Sequence, residues 1–324
     1  MQKKTLLIDK KTNRFSVKLS DFTLIIALLL LILLFYFLEP RFLSQRNIYN
    51  IILQVSVLAP VAIGMTLVIL IGGIDLSVGS VLAFSQAYCA NLVLTGTNSF
   101  LAIGMACLIG LVLGAINGFL IAYVKLPPFV ATLGMMSIAR GFQMTFTLGA
   151  TLYSFPEDFR YIGTEYWFGV PIPIYLTIFI FILFFLIMKY TTFGRSVYAI
   201  GGNEQAARIS GISVARTVLL VFVISGILTA LAGVLQLMRL NAHETSAGQG
   251  LEMEAIASVV IGGTSMAGGR GSVLKTAIGT LVYGVIINGL NIVGVNPFIQ
   301  KSIIGILIIA AVTIDVVVGK FRKN

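Results

Sequence analysis

The stretch LIGGIDLSVGS, Leu70 to Ser80, sets an acid and two hydroxyls among three glycines, between two long apolar runs. A carboxylate at membrane depth is expensive and faces a cavity or a partner, so Asp75 marks a candidate site. A second reading makes Asp75 a helix cap, with Ser77 assisting, that satisfies free N–H groups of the next helix. Both readings stay open on the sequence. Gly72, Gly73 and Gly79 indicate a backbone bend under either one. Asn117, Asn288 and Asn291 are further polar groups in apolar surroundings, and Ser77, Thr132, Ser258 and Thr264 add hydroxyls. A neutral, hydroxyl-rich solute needs such partners along its path, held weakly enough to let it leave. Hydrogen bonding between helices is the competing role for each of them. Phe129 and Phe146 offer aromatic faces but fit core or lipid contact equally well. Arg140, alone in MMSIARGFQMTF, pairs with Asp75 on one reading and with helix-end carbonyls on the other.

Reaction chemistry is poorly served. The chain has one histidine and two cysteines, and Cys89 and Cys107 both lie in apolar runs, where a thiol behaves as a small hydrophobe. With no nucleophile and base side by side and no His/Cys cluster, neither an enzyme nor a metal site is expected. A phosphate-cradling loop would read Gly, four residues, Gly-Lys, then Ser or Thr; Gly319-Lys320 is followed by Phe321. No cofactor is therefore expected on this chain.

The elements that position these residues follow from composition. Of 324 residues, 58% are hydrophobic and 10% charged, and the mean hydropathy is +1.00; lipid must cover what a soluble core cannot hide. Runs such as FTLIIALLLLILLFYFL and YLTIFIFILFFLIM carry no charge, and roughly 20 apolar residues form a helix that crosses about 30 Å of hydrocarbon. The runs do not alternate, which excludes a barrel. An all-α polytopic membrane protein is predicted. EPRFLSQRN lacks a small-x-small cleavage site, so the first run is read as a retained helix rather than a secretory signal.

The net charge of +10 does not imply nucleic acid, because its distribution follows a membrane topology. Lys3, Lys4, Lys10, Lys11, Arg14 and Lys18 crowd one end, and Lys320, Arg322 and Lys323 the other, which places both termini on the cytoplasmic side. Lys189, Arg195, Arg208 and Arg216 belong to the same side, whereas Glu157, Asp158, Glu165, Glu244, Glu252 and Glu254 gather in two loops assigned outside. Arg41 and Arg46 run against this pattern. The alternation closes on about ten crossings, at 22–38, 53–72, 79–95, 100–123, 128–150, 172–189, 213–239, 254–263, 274–294 and 298–318. Tails at 1–21 and 319–324 flank a transmembrane unit, 22–318, with a cytoplasmic segment at 191–212.

EAIASVVIGGTSMAGGRGS has about ten apolar residues before its break, enough for half a helix. It resembles the opening stretch, with Gly72-Gly73 matched to Gly262-Gly263 and Gly79-Ser80 to Gly271-Ser272. GAINGFL…PPF likewise matches GVIINGLN…NPF. The first half has about 19 more residues between these landmarks, roughly one crossing, so a two-halved repeat with inverted landmarks is expected. GLVLGAING reads as a close-packing face. On the cytoplasmic side, Glu204 to Ile209 forms a short mixed-character helix between Gly202 and Gly211, capped by Asn203. Such a helix lies on the membrane surface or docks a soluble partner; Glu204, Ala206, Ala207 and Arg208 are its candidate contact residues.

GGIDLSVGS, FGRSVYAIGGNEQAARISGI and EAIASVVIGGTSMAGGRGS, in this order, resemble the permease subunits of bacterial ATP-binding cassette importers for simple sugars, ribose-permease-like members above all. The resemblance runs from Phe22 onward. It implies import of ribose or a similar monosaccharide through the inner membrane. It also implies two cytoplasmic ATPase subunits that use ATP and Mg, an extracytoplasmic sugar-binding protein and a second permease copy or paralogue. GNEQAARISG resembles the coupling loop of importer permeases, although Gln205 interrupts its first Glu-Ala pair. An ion-coupled secondary transporter with Asp75 as its ion site, and a nucleoside permease, are the alternatives.

Overall fold

Uninterrupted apolar runs become long helices, and the computed structural model describes them over residues 19–321. The basic residues of 1–18 and Arg322 and Lys323 lie outside the described residues. The path is α1 (Leu19–Leu38), a 3-10 turn (Pro40–Leu43), α2 (Gln45–Leu70), α3 (Val78–Leu94), α4 (Ser99–Ala122) and α5 (Pro128–Thr147). Next come β1 (Leu152–Tyr153), α6 (Glu157–Thr164), β2 (Tyr166–Trp167), β3 (Val170–Pro171), α7 (Ile172–Tyr190), α8 (Thr192–Gly202) and α9 (Glu204–Ile209). The chain continues through α10 (Val214–Leu240), β4 (Ala242–His243), α11 (Leu251–Ile261), α12 (Val273–Ile292) and α13 (Pro297–Phe321). Each predicted crossing falls on one of these helices. Two-residue antiparallel pairings, β1 with β4 and β2 with β3, are the only strands among the described residues.

Local chemistry sets the helix starts. The Ser44 hydroxyl accepts from Asn47 N–H at the head of α2, and Asn98 Oδ1 accepts from Phe100 N–H at the head of α4. Pro128 and Pro297 open α5 and α13, where a missing N–H costs nothing. Burial orders the layers. In their most apolar windows α2 is 83%, α10 67% and α12 61% buried, against 28% for α4 and 33% for α7, so α2, α10 and α12 form the centre and α4 and α7 lie at the outside.

The close-packing face is realised on α4. Gly110, Gly114 and Gly118, four apart, lie against Gly226, Phe222 and Leu219 of α10, where a Cβ would enter backbone atoms. The inverted landmarks are also present. α4 ends beside the start of α10 and Arg208 of α9, whereas α12 ends where Asn288 meets Asn47 at the head of α2. These are opposite ends of the bundle, because Leu70 at the foot of α2 abuts Gly201 of α8.

The sequence register between the two bends needs correction. α2 and α11 both end in a Schellman motif, in which a left-handed residue lets two N–H groups reach back to the last turn. Gly72 (φ +80°) and Gly263 (φ +80°) occupy the left-handed position, so Gly72 corresponds to Gly263 rather than to Gly262. Gly262 is right-handed and is small because Lys275 O would lie 2.7 Å from its Cβ. Gly79 sits in the first turn of α3, whereas Gly271 lies in the loop before α12, and their sequence match has no structural counterpart. α11 has the expected half length, 11 residues or about 16 Å. Its first turn carries Glu252 and Glu254, which are not in an outer loop as expected. Gly248, just ahead, packs on Gly79, and Glu254 shares a cavity with Leu58 and Tyr283, the midpoints of α2 and α12. The chain between α10 and α11 dips into the bundle and carries both acids inward.

Gly114→Ala should lower the melting midpoint in detergent, at a cost of about 1–3 kcal/mol, because α10 backbone blocks the added methyl. Gly104→Ala, with open space around it in the interior of α4, should not lower the midpoint and should raise it slightly, because alanine favours a helix over glycine.

Candidate functional site

Four predicted residues meet at the first bend. Asp75 Oδ1 accepts from Ser77 N–H at 2.9 Å and from the Ser77 hydroxyl at 2.6 Å. Asn117 Nδ2 of α4 donates to Ser77 Oγ at 3.0 Å, and the Thr132 hydroxyl of α5 shares its one proton between Pro128 O of its own helix, at 2.9 Å, and Ile74 O of the bend, at 3.2 Å. Asp75 is 4% exposed. The cap reading is corrected: Ser77 is the N-cap of α3 and makes no side-chain capping bond, and Asp75 instead closes an Asx turn on Ser77, two residues on. Arg140 does not pair with Asp75; its Nη1 donates to Ala247 O at 2.9 Å, Gln143 Oε1 at 3.2 Å and Thr245 O at 3.4 Å.

The other predicted residues lie elsewhere. Asn288 Oδ1 accepts from Asn47 Nδ2 at 2.8 Å and so serves helix–helix bonding; Asn291 Oδ1 accepts from Gln300 Nε2 at 2.8 Å, and Asn291 also lines a cavity with Gln236, Glu254 and Tyr283. The Ser258 hydroxyl donates to Glu254 O on its own helix. Thr264, buried without a hydrogen-bond partner for its hydroxyl, packs where a Gly271 side chain would sit. Phe129 is 55% exposed. Phe146 rests against Phe84 and Tyr88.

Sequence reasoning missed a relay that pins the inward dip. Arg140 fixes the Gln143 amide by donating to its oxygen, so the Gln143 NH2 faces His243 Nε2 at 3.2 Å. His243 Nδ1 then donates to Gln86 Oε1 at 3.2 Å, which requires the neutral ring. Burial, and secondarily the Arg140 charge, push the His243 pKa down to about 4. The signal was present as one histidine four residues after Arg239, but a lone His carries no spacing pattern. A second omission is the cavity lined by Gln236, Arg239, Glu254 and Tyr283, whose acid had been assigned to water.

Residues 204–209, predicted as a short capped helix, form α9. Asn203 Oδ1 accepts from Ala206 N–H at 2.9 Å, Glu204 and Arg208 pair at 2.9 Å, and Gly211 (φ +82°) follows the helix. Gly202 has open space around it. Ala206, Glu204 and Arg208 are exposed, and Ile209 is 87% exposed. Ala207 differs from expectation: it is buried with Val197, Val214 and Val218, so its small size serves this chain's own core rather than an outside partner. Next to it, Gly201 touches Leu70 O and Gly269 N, and Tyr198 OH donates to Gly271 O at 3.1 Å.

The unfolded chain, with an ordinary histidine pKa near 6.5, binds more protons than the folded chain between about pH 6.5 and the folded value of about 4. His243 stabilisation is therefore complete above about pH 6.5 and is lost as pH falls through that window. The melting midpoint should drop between pH 7 and pH 4.5, and the drop should be smaller in His243→Gln. Equal slopes would contradict the relay.

Residues 47–312 match the family described as branched-chain amino acid transport system, permease component. The chain is 41% identical over 317 residues to the ribose import permease protein of Bacillus subtilis, covering 97% of this chain and 98% of the relative. It is 39% identical to the D-allose transport system permease protein of Escherichia coli, with 96% of each covered. Its identity to the L-arabinose transport system permease protein of the same organism is 34%, covering 85% of this chain and 84% of the relative. No solved structure matches. A multi-pass bundle with a broken helix in each half and matching relatives along nearly its whole length, this chain belongs to that family of transport permeases.

Proposed function

We propose that the chain is the membrane-spanning subunit of an ATP-driven importer for a monosaccharide, ribose or a similar simple sugar, with α9 and both termini in the cytoplasm. The observation that carries this reading is near-full-length similarity to permeases named for ribose, D-allose and L-arabinose. The neutral amides and hydroxyls within the bundle suit such a cargo. Solute passage falls to this chain and ATP hydrolysis, with Mg, to two cytoplasmic ATPase subunits. An external sugar-binding protein and a second permease copy or paralogue complete the assembly. The ion-coupled alternative is weakened by Asp75, whose carboxylate is enclosed and committed to holding a turn.

α9 is the docking element. Coupling needs a rigid element whose position depends on the partner's state, and α9 is capped, exposed at Glu204, Arg208 and Ile209, and continuous with α8, which touches both bends. The Glu204–Arg208 pair is exposed and worth only about 0.3–0.5 kcal/mol, so either side chain can be given up to a partner at little cost.

In proteoliposomes holding all subunits, labelled D-ribose, D-allose or L-arabinose should enter with ATP and leucine should not; ATP-driven entry of leucine or adenosine in place of every sugar contradicts the monosaccharide reading. Glu204→Arg and Ile209→Asp should weaken capture of the ATPase about 5- to 10-fold without preventing insertion, as expected for contacts near an interface centre. Unchanged capture in both refutes the docking assignment.

A further inference from the structure

On the half of the bundle away from α9, a cavity of about 220 Å³ lies between α2, α10, α11 and α12. That space equals about seven waters in bulk, the scale of one small solute. Tyr283 lines it, is 3% exposed, and has a hydroxyl without a hydrogen-bond partner. Gln236 lines it as well, with a buried and unpartnered Oε1. Native proteins satisfy nearly all buried polar atoms, because an unpartnered one carries its full desolvation cost. Two such atoms on one cavity indicate that something else supplies their bonds.

The chemistry of the wall narrows what that is. Tyr283 offers a hydroxyl, Gln236 an amide, Glu254 an acceptor and Arg239 a donor, all at one cavity. Donors and acceptors are therefore both present within a largely apolar wall, and a basic and an acidic side chain offset each other, so no net charge is selected. A neutral molecule whose groups each donate and accept fits this pattern, which is the character of sugar hydroxyls. The cavity also bears on the moving parts. Glu254 is in the first turn of α11, the half-length helix whose far end is the second bend.

We propose that this cavity is a monosaccharide subsite within the permease, where the Tyr283 hydroxyl and the Gln236 amide oxygen hydrogen-bond sugar hydroxyls on the outer half of the path. The inference rests on the reading of the chain as a monosaccharide permease. Neither residue was singled out by the sequence, since Gln236 and Tyr283 sit within apolar helices without a motif.

The test uses the complete importer in proteoliposomes, with D-ribose and its 2-deoxy, 3-deoxy and 5-deoxy analogues as probes. Tyr283→Phe removes one oxygen and keeps the ring. It should lower D-ribose uptake about 3- to 10-fold, the effect of one lost hydrogen bond, and Gln236→Leu should act similarly. The variant-to-wild-type ratio for each probe cancels the binding protein's own preference. The loss should vanish for the one deoxy sugar that lacks the hydroxyl bonded to the altered residue, because the two deletions then remove the same contact. An equal loss across these probes and across the 1-deoxy and 4-deoxy analogues, which remove the remaining hydroxyls, would assign the groups to a structural, water-filled cavity and overturn the subsite. Wild-type uptake in both variants would overturn it too. If wild-type importer moves none of these sugars, the monosaccharide reading itself falls and takes the subsite with it; wild-type uptake separates the two failures.

Discussion

The backbone hydrogen bond from Gly269 N–H to Leu70 C=O, 2.9 Å long, settles a constraint that the rest of the bundle must respect. The last four carbonyls of a helix have no partner within it, and water cannot supply one at Leu67 to Leu70, which are fully buried in the bundle. At the foot of α2 all four are satisfied. Leu67 accepts from Ile71, Val68 from Gly73, Ile69 from Gly72, and Leu70 from Gly269 of the other half. The first is an ordinary helical bond, and the bonds from Gly72 and Gly73 require the chain to turn left-handed at Gly72. The fourth requires the second bend to approach to backbone contact, and Gly268 and Gly269, both left-handed, permit it. Gly201 of α8 reaches the same point, so three separate segments meet without a side chain between them.

The remaining polar contacts hold the approach in place. Asn117, Ser77 and Asp75 tie the first bend to α4, and Thr132 ties it to α5. On the opposite side of α3, Arg140, Gln143, His243 and Gln86 anchor the dip that starts α11. Both broken segments are thus clamped at their flanks and joined at Leu70, while α9 hangs from the same junction through α8. If a partner displaces α9, as proposed, the backbone contacts at Leu70 offer a stiff route to both halves, because close-packed interiors yield little.

Much of this was legible in the sequence. Apolar runs gave every long helix, glycine-rich breaks gave both bends, and Asn203 with Glu204 gave the capped α9, because each follows from local chemistry. The bends matched one residue out of register because GG pairs look alike, whereas only one glycine of each occupies the left-handed position. Glu252 and Glu254 were placed in water because charge asymmetry reads sides of a membrane and cannot see a chain that re-enters it. The partners of Arg140, Asn288 and Asn291, and the burial of Ala207, depend on which helices become neighbours, and no spacing in a single chain encodes that. Asp75 illustrates the limit best: its importance was evident, but its task of closing a turn on Ser77 was visible only in three dimensions.

The junction at Leu70 is the centre of this account, and Gly201→Ala compared with Gly202→Ala tests it most directly. A methyl at Gly201 enters Leu70 O and Gly269 N, whereas one at Gly202 meets open space. The measurement is sugar molecules moved per ATP hydrolysed by the complete importer in proteoliposomes. Gly201→Ala should insert, bind the ATPase and hydrolyse ATP while moving far less sugar per ATP, and Gly202→Ala should match the wild type. An unchanged ratio in Gly201→Ala would contradict the proposal that α8 passes movement to the two bends through this contact.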